Sequence, residues 1–338
     1  MSFSRRLFCM AMLLASAALG NAAHAYNLFG PYPWGDEGLT YYNKWGDIFT
    51  PGSHGGTITW SIMPDGTTID PNHPEPGISG TSSLHALMTE LGYEQSMATI
   101  RQAFQQWSDA ANIYFEEVTD SGLPFKSPDG APPATGHIRL GAFSLPEYFG
   151  AVGFAPPPNG GLLEGEILFN ADNNFQFAEG NEGGLFNAYI NGLYHNDFSG
   201  LILHEIGHAV GLDHTDLPSV MTSNPAYFQT INRILDPDDI AGVQFLYGDH
   251  LAADFDHDNI VDGDDLAAWK TGFGATSNVT PTMGDADRNG QIDGADFLIW
   301  QREASPSMAA SAIPEPSGAI LALGLLTAAS NSRRRHVR

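Results

Sequence analysis

The pattern of apolar and polar positions has two periods, and each predicts its own kind of element. Thr57 to Met63 (TITWSIM) alternates, which predicts a half-buried strand. His137 to Leu140 and Gly165 to Phe169 are shorter strand candidates. From Met97 to Glu117 the residues Ile100, Ala103, Phe104, Trp107, Ala111 and Phe115 recur at helical spacing, which predicts one amphipathic helix. Phe198 to Val210 carries a second apolar helical face. A third helix is expected after Asp236-Pro237-Asp238-Asp239, where proline and acids suit a first turn. Ile240, Val243, Phe245 and Leu246 follow as its apolar residues, and Gly248 closes it. Residues 64–96 and 121–136, rich in proline, glycine and polar side chains, read as long loops. Strands mixed with three long helices predict an α+β or α/β domain.

Both ends depart from this pattern. Arg5-Arg6, an apolar stretch from Leu7 to Leu19, and Ala23-His24-Ala25 have the order of an export signal, so residues 1–25 are expected to be removed. Ser4-Arg5-Arg6-Leu7-Phe8 also resembles a twin-arginine signal. At the other end, Pro314-Glu315-Pro316 precedes an apolar run from Gly318 to Ala329 and the cluster Arg333-Arg334-Arg335. That run is short of the ~20 residues a spanning helix needs. The order resembles the PEP-CTERM sorting signal of Gram-negative exported proteins. The resemblance implies a secreted or envelope-associated protein that meets the membrane only transiently, through residues 306–338.

Charge narrows the partners. The 338 residues carry 14 Lys+Arg against 39 Asp+Glu, a net charge of −25, and six of the basic residues sit in the two terminal signals. A surface this acidic repels phosphate backbones and anionic lipid, which argues against nucleic-acid binding. The one cysteine, Cys9, lies in the export signal, so the mature chain has no disulfide, thiol nucleophile or Cys-bound zinc.

The strongest chemical signal is HEIGHAVGLDH over residues 204–214. On a helix, His204 and His208 lie one turn apart and point the same way, so two imidazoles can meet one metal ion. Glu205 beside them is placed to hold a water rather than the metal. Gly211 lets the chain leave the helix through a conformation that other residues resist, bringing His214 round as third ligand. Three neutral nitrogen ligands with an open fourth position suit one catalytic zinc. Glu205 would then act as general base toward the water and as acid toward the leaving amine.

These residues resemble the metzincins, and among them the matrixin family, through HExxHxxGxxH and a following methionine. The resemblance makes Met221 the Met-turn residue, and Pro225 and Tyr227 part of a wall of the specificity pocket. It extends to Ala103–Val118, Gly165–Asn170 and Leu235–Gly248, and so covers most of residues 50–248. It implies an α+β metzincin-like domain over residues 26–249, with a mixed twisted sheet and three main helices. Its substrate would be a protein or peptide, lying extended along Gly165–Asn170 as the edge strand. Val152 and Leu168 stand where matrixins carry histidines for a second zinc, so that zinc is expected to be absent. Asn170 and Asp172 are a candidate calcium pair.

Beyond residue 250 an acidic repeat takes over. Oxygen donors fall at calcium-loop positions 1, 3, 5, 9 and 12 twice, with a carbonyl at position 7. The first set is Asp254, Asp256, Asp258, the Ile260 carbonyl, Asp262 and Asp265. The second is Asp285, Asp287, Asn289, the Gln291 carbonyl, Asp293 and Asp296. Asn259 takes the glycine position of the first loop and tolerates its left-handed turn. Each loop leads into a short apolar helix, Leu266 to Trp269 and Phe297 to Trp300. The paired loop-helix units resemble a type I dockerin, a small all-α module over residues 250–305. That implies two calcium ions and a cohesin-like or envelope partner. At loop positions 10 and 11 stand Gly263-Asp264 and Gly294-Ala295, unlike the familiar Ser/Thr pairs. The competing reading is a catalytically inactive, calcium-dependent adhesion or scaffold protein. Intact Glu205 and three intact histidines count against it.

Overall fold

The computed structural model describes residues 26–35, 38–128, 136–158, 162–177, 187–190, 193–223 and 233–304. The expected export signal, the sorting tail, and Pro225 and Tyr227 lie outside them. The chain begins with β1 (Asn27–Leu28) and a hairpin of β2 (Tyr32–Trp34) and β3 (Leu39–Tyr41). It enters the main sheet at β4 (Gly56–Ile62), then forms α1 (Leu84–Leu91) and α2 (Tyr93–Ala110). The sheet continues with β5 (Ile113–Glu117), β6 (Ile138–Phe143), β7 (Ala151–Gly153) and β8 (Ile167–Asn170). A minor sheet contains β9 (Asn174–Gln176), β10 (Asn187–Ile190) and β11 (Leu193–Asp197). Next come α3 (Phe198–Ala209), β12 (Leu212–Asp213) and α4 (Pro237–Tyr247), and finally α5 (Gly263–Gly272) and α6 (Gly294–Glu303).

The main sheet runs β5-β4-β6-β8-β7. Its first four strands are mutually parallel and β7 is antiparallel to β8. This is the mixed sheet of the α+β expectation. Helices α2 and α3 cover one face: Trp60 stacks on Phe104 at 4.8 Å and Phe169 on Phe198 at 5.1 Å. The Trp107 indole donates to the Leu203 carbonyl at 3.0 Å and ties the two helices together. No helix among the described residues is long and apolar enough to cross a membrane.

Three expectations are corrected. The single helix over Met97–Glu117 is a helix and a strand, because α2 stops at Ala110 and Ala111 is extended. Ala111 and Phe115 continue the helical spacing by coincidence. Ile113, Tyr114 and Phe115 favour strand and pair with the free edge of β4, Gly56 against Ile113 through Trp60 against Glu117. The stretch 64–96 is not all loop, since it contains α1 and the first turn of α2. The cap of α1 is remote: the Asp65 carboxylate accepts the His85 and Ala86 amides, both at 2.9 Å. Finally, Gly165–Asn170 does not form the edge. The short β7 pairs outside it, Ala151 with Phe169 through Gly153 with Ile167. Two backbone bonds beyond β7 bring the chain back antiparallel: Phe154 N donates to Glu166 O at 2.9 Å and Gly165 N to Ala155 O at 3.2 Å.

The third helix follows expectation closely. Asp236 and Asp239 form a capping box around Pro237, and Gly248 ends α4 at φ 80°. Residues 253–303 form a separate small core of Ala253, Phe255, Val261 and Ala286, flanked by α5 and α6. Its repeat is reciprocal in space. Trp269 of α5 donates to the Asp293 carbonyl at 2.8 Å, and Trp300 of α6 to the Asp262 carbonyl at 2.7 Å.

Candidate active site

Helix α3 begins at Asp197, whose buried carboxylate caps the Gly200 amide at 2.8 Å and pairs with Arg233 at 2.6 Å. His204, Glu205 and His208 follow on its inner face. Gly211 turns at φ 105°, where a side chain would collide with the Asn43 carbonyl. The chain then returns as β12, held by β1, with Asn27 donating to the His214 carbonyl at 2.6 Å. The result brings three ring nitrogens together: His214 Nε2 lies 3.1 Å from the Nε2 atoms of both His204 and His208.

This arrangement fits a zinc ion on its own chemistry. The Nε2 atoms face one point, and the opposite ring nitrogens of the two helix histidines are fixed by backbone carbonyls. His204 Nδ1 meets the Val220 carbonyl at 2.6 Å, and His208 Nδ1 the Leu212 carbonyl at 2.8 Å. Burial holds the His204 imidazole down to about 4, with His214 adding repulsion, and lowers His208 and His214 as well. The rings are therefore neutral, the form that ligates metal. Burial pushes the Glu205 carboxyl up to about 8, opposed by a hydrogen bond from the Gly153 amide.

The site opens into a cleft of about 400 Å³. Its walls are α3 on one side and Tyr148 to Gly153 on the other, with Phe29 at one end. The edge facing the histidines is thus β7, not Gly165–Asn170. Gly153 makes that approach possible, because any Cβ there would collide with the Glu205 carbonyl. Val152 and Leu168 are register partners across β7 and β8.

Met221 is buried against α3, where a side chain at Gly207 would strike its sulfur. The turn carrying it closes on itself, Thr215 N to Met221 O at 2.9 Å and Ser223 N to Thr215 O at 2.9 Å. Asp239 also holds it, a residue that sequence reasoning places only in a helix first turn. Its carboxylate accepts the Val220 amide at 2.9 Å and the Met221 amide at 3.2 Å. Since the Val220 carbonyl orients His204, Asp239 stands two steps from the metal position. Among the other histidines, His137 bonds Thr59 and His73 bonds Asp70, and neither joins the cluster.

The calcium pair expected at Asn170 and Asp172 is not assembled. The Asn170 amide is spent on backbone groups of 145–149 and 172, and Asp172 bonds the Ser144 hydroxyl. The C-terminal acids, by contrast, do converge. Asp254, Asp256 and Asp258 bring carboxylate oxygens together, and so do Asp285, Asp287 and Asp296. Asn259 and Gly290 take the left-handed turns, at φ 72° and 80°. Asp265 and Asp296 are fully buried and accept the Phe255 and Ala286 amides at 2.6 and 2.9 Å. Ile260, Asp262, Gln291, Asn289 and Asp293 lie on the same two loops, where Asp262 and Asp293 cap α5 and α6.

Comparison with known proteins agrees with the cleft. The chain is 28% identical over 174 residues to matrix metalloproteinase-15 of Homo sapiens, covering 50% of this chain and 24% of that one. It is 30% identical over 174 residues to karilysin of Tannerella forsythia, covering 49% and 30%. With the neutrophil collagenase of Homo sapiens it shares 26% identity over 194 residues, covering 55% and 36%. The chain thus spans between about a quarter and a third of the length of these relatives. The family description Matrixin matches residues 80–248, which contain the whole cluster of His204, Glu205, His208 and His214. With half its length matched there, the chain belongs to the matrixin family.

Proposed function

We propose that the protein is an exported zinc-dependent endopeptidase with a calcium-binding docking module. The observation that carries the reading is the convergence of His204, His208 and His214 on one point, with Glu205 beside them at the floor of an open cleft. The three Nε2 atoms would hold a zinc ion, whose Lewis acidity would act on a water and on the scissile carbonyl. The chain's own groups do the rest. Glu205 accepts the proton of the attacking water and delivers it to the departing amine nitrogen. Its burial, with one amide donor at Gly153, suits a carboxyl that must carry a proton part of the time. Substrate adds as a strand to β7, whose outer edge borders the cleft, and α3 supplies the opposite wall. Pro225 and Tyr227 complete the specificity wall in this reading.

The loops at Asp254–Asp265 and Asp285–Asp296 are two calcium sites of a dockerin-like module that fastens the enzyme to a cohesin-like or envelope partner. Residues 1–25 direct export, and residues 306–338 sort the protein at a Gram-negative envelope. Support comes from the clustered carboxylates and from the reciprocal tryptophan bonds between the two units. The decisive experiment is Glu205→Ala. The variant is expected to bind one zinc per chain, as the wild type does, and to lose hydrolysis of an unfolded protein by at least ~100-fold. Retained turnover, or a wild type that binds zinc without cleaving anything, sinks the peptidase reading.

A further inference from the structure

The buried Asn170 side chain makes five hydrogen bonds, and all but one go to a single short loop. Its Nδ2 faces three carbonyl oxygens, those of Leu145 at 3.4 Å, Pro146 at 3.3 Å and Phe149 at 2.9 Å. Its Oδ1 accepts the Leu145 amide at 3.2 Å and the Asp172 amide at 3.1 Å. The amide cannot be turned round, since the oxygen would then face three carbonyls and the NH2 two amides. Asn173 adds a bond from its own Nδ2 to Phe149 O at 2.8 Å. Several carbonyls aimed at one point, with Asp172 close by, is an arrangement otherwise suited to a hard cation. Here a neutral donor stands at that point.

What the loop carries gives this consequence. Tyr148 is 75% exposed, and together with Phe149 and Gly150 it lines the cleft opposite the histidines. Immediately after Gly150 the chain becomes β7, the edge that borders the site. The loop is therefore the near end of the substrate-facing strand, and the Asn170 side chain on β8 supplies four of the side-chain bonds that hold it, with Asn173 adding one.

We propose that Asn170 is the positioning residue of the cleft rim: its amide replaces a cation among the Leu145, Pro146 and Phe149 carbonyls, so the Tyr148–Phe149 rim is held without metal. The effect on substrate rests on the peptidase reading, whereas the fastening itself does not. Asn170→Asp puts a carboxylate oxygen against the same carbonyls. That contact is repulsive unless a cation bridges it, so the substitution converts a metal-free rim into one that needs calcium, at roughly millimolar concentration.

The test uses the full mature chain with Glu205→Gln, so that self-digestion is absent. A chymotrypsin-like protease is added, and cutting after Tyr148 or Phe149 is followed by mass spectrometry, with calcium or a calcium-selective chelator. Without the Asn170 change, the cut is expected to be slow and equal in both conditions. With Asn170→Asp it is expected to be at least ten times faster in chelator and slow again with calcium. In the Glu205-intact protein, Asn170→Asp should raise KM several-fold in chelator with kcat little changed, and calcium should restore KM. An Asn170→Asp rim that is cut at one rate with and without calcium overturns the proposal, whatever the activity. A calcium-dependent cut in a protein that hydrolyses no peptide leaves Asn170 standing and removes the peptidase reading instead. If Asn170→Asp does not fold, amide exchange at Leu145 in the unsubstituted protein decides. Protection that survives the chelator supports the amide, and protection lost with calcium overturns it.

Discussion

At the scale of single residues, the buried polar groups divide into those with partners and those without. Asp120 and Arg139 are both buried and form a two-pronged ion pair at 2.8 Å. Glu166, on the turn before β8, is different. Its Oε2 has no hydrogen-bond partner among the described residues, and burial raises its carboxyl well above the ordinary range, with Arg139 opposing. A folded-state pKa above the unfolded one means the folded chain holds a proton more tightly. That contribution to stability is fully present below the unfolded value near 4.5 and is lost as the pH climbs toward the raised folded value. Glu166→Gln is therefore expected to raise the melting temperature by a few degrees at about pH 7 and to change little below the ordinary carboxyl range. Paired melting curves across that range check it, and an equal effect at both ends would contradict it. The proposed zinc ligands are legible at this scale because ligation demands specific atoms at specific spacing. Gly153 and Asp239 are not, since their roles exist only against partners distant in the chain.

Among the elements, α3 is the one the site depends on, and its surroundings fix it from three sides. Trp107 of α2 and Trp45 donate to the Leu203 and Ala209 carbonyls, at 3.0 and 2.8 Å. The Met221 turn lies beneath, and α4 clamps that turn through Asp239. Asp239→Ala would leave two buried amides unpaired, at about 1–3 kcal/mol each, and would loosen the carbonyl that orients His204. A zinc affinity weaker by about 10- to 100-fold is expected, measured by competition with a chelating dye. The helices α3 and α4 are legible because their caps are local: Asp197 before one, the Asp236–Asp239 box and Gly248 around the other. Helix α1 is hidden because Asp65, which caps it, precedes it by a long loop. The end of α2 is hidden because Ala111 and Phe115 fit two periods equally, and only the open edge of β4 chooses between them.

In the whole molecule, the acidic C-terminal unit rests on the matrixin half. The Tyr114 hydroxyl on β5 bonds Asp254 at 3.0 Å, its ring stacks on His257 at 4.0 Å, and Arg288 pairs with Asp109 of α2. Asp254 is also the first donor of the first proposed calcium loop. If calcium fills these loops, removing it leaves the clustered carboxylates to repel one another around a small core of Ala253, Phe255, Val261, Ala286 and Ile292. Chelation is accordingly expected to melt residues 253–303 and to open trypsin cuts at Lys270, Arg288 and Arg302. Fragment mapping with and without chelator measures it, and an unchanged digestion pattern would count against the two calcium loops.

The order of residues is enough to single out the proposed zinc-ligand set and base, the expected calcium-loop donors and the elements whose caps are local. Each of these depends on residues within a dozen positions of one another, where spacing is geometry. It took the folded chain to decide which strand borders the cleft, what seats Met221, and that the Asn170 amide serves the rim. Those depend on pairings between segments far apart in the chain, such as β7 with β8 and Asp239 with the Met221 turn. The one-dimensional pattern carries no distance between such segments. Only packing, which must satisfy nearly every buried donor and acceptor at once, selects among the partners available.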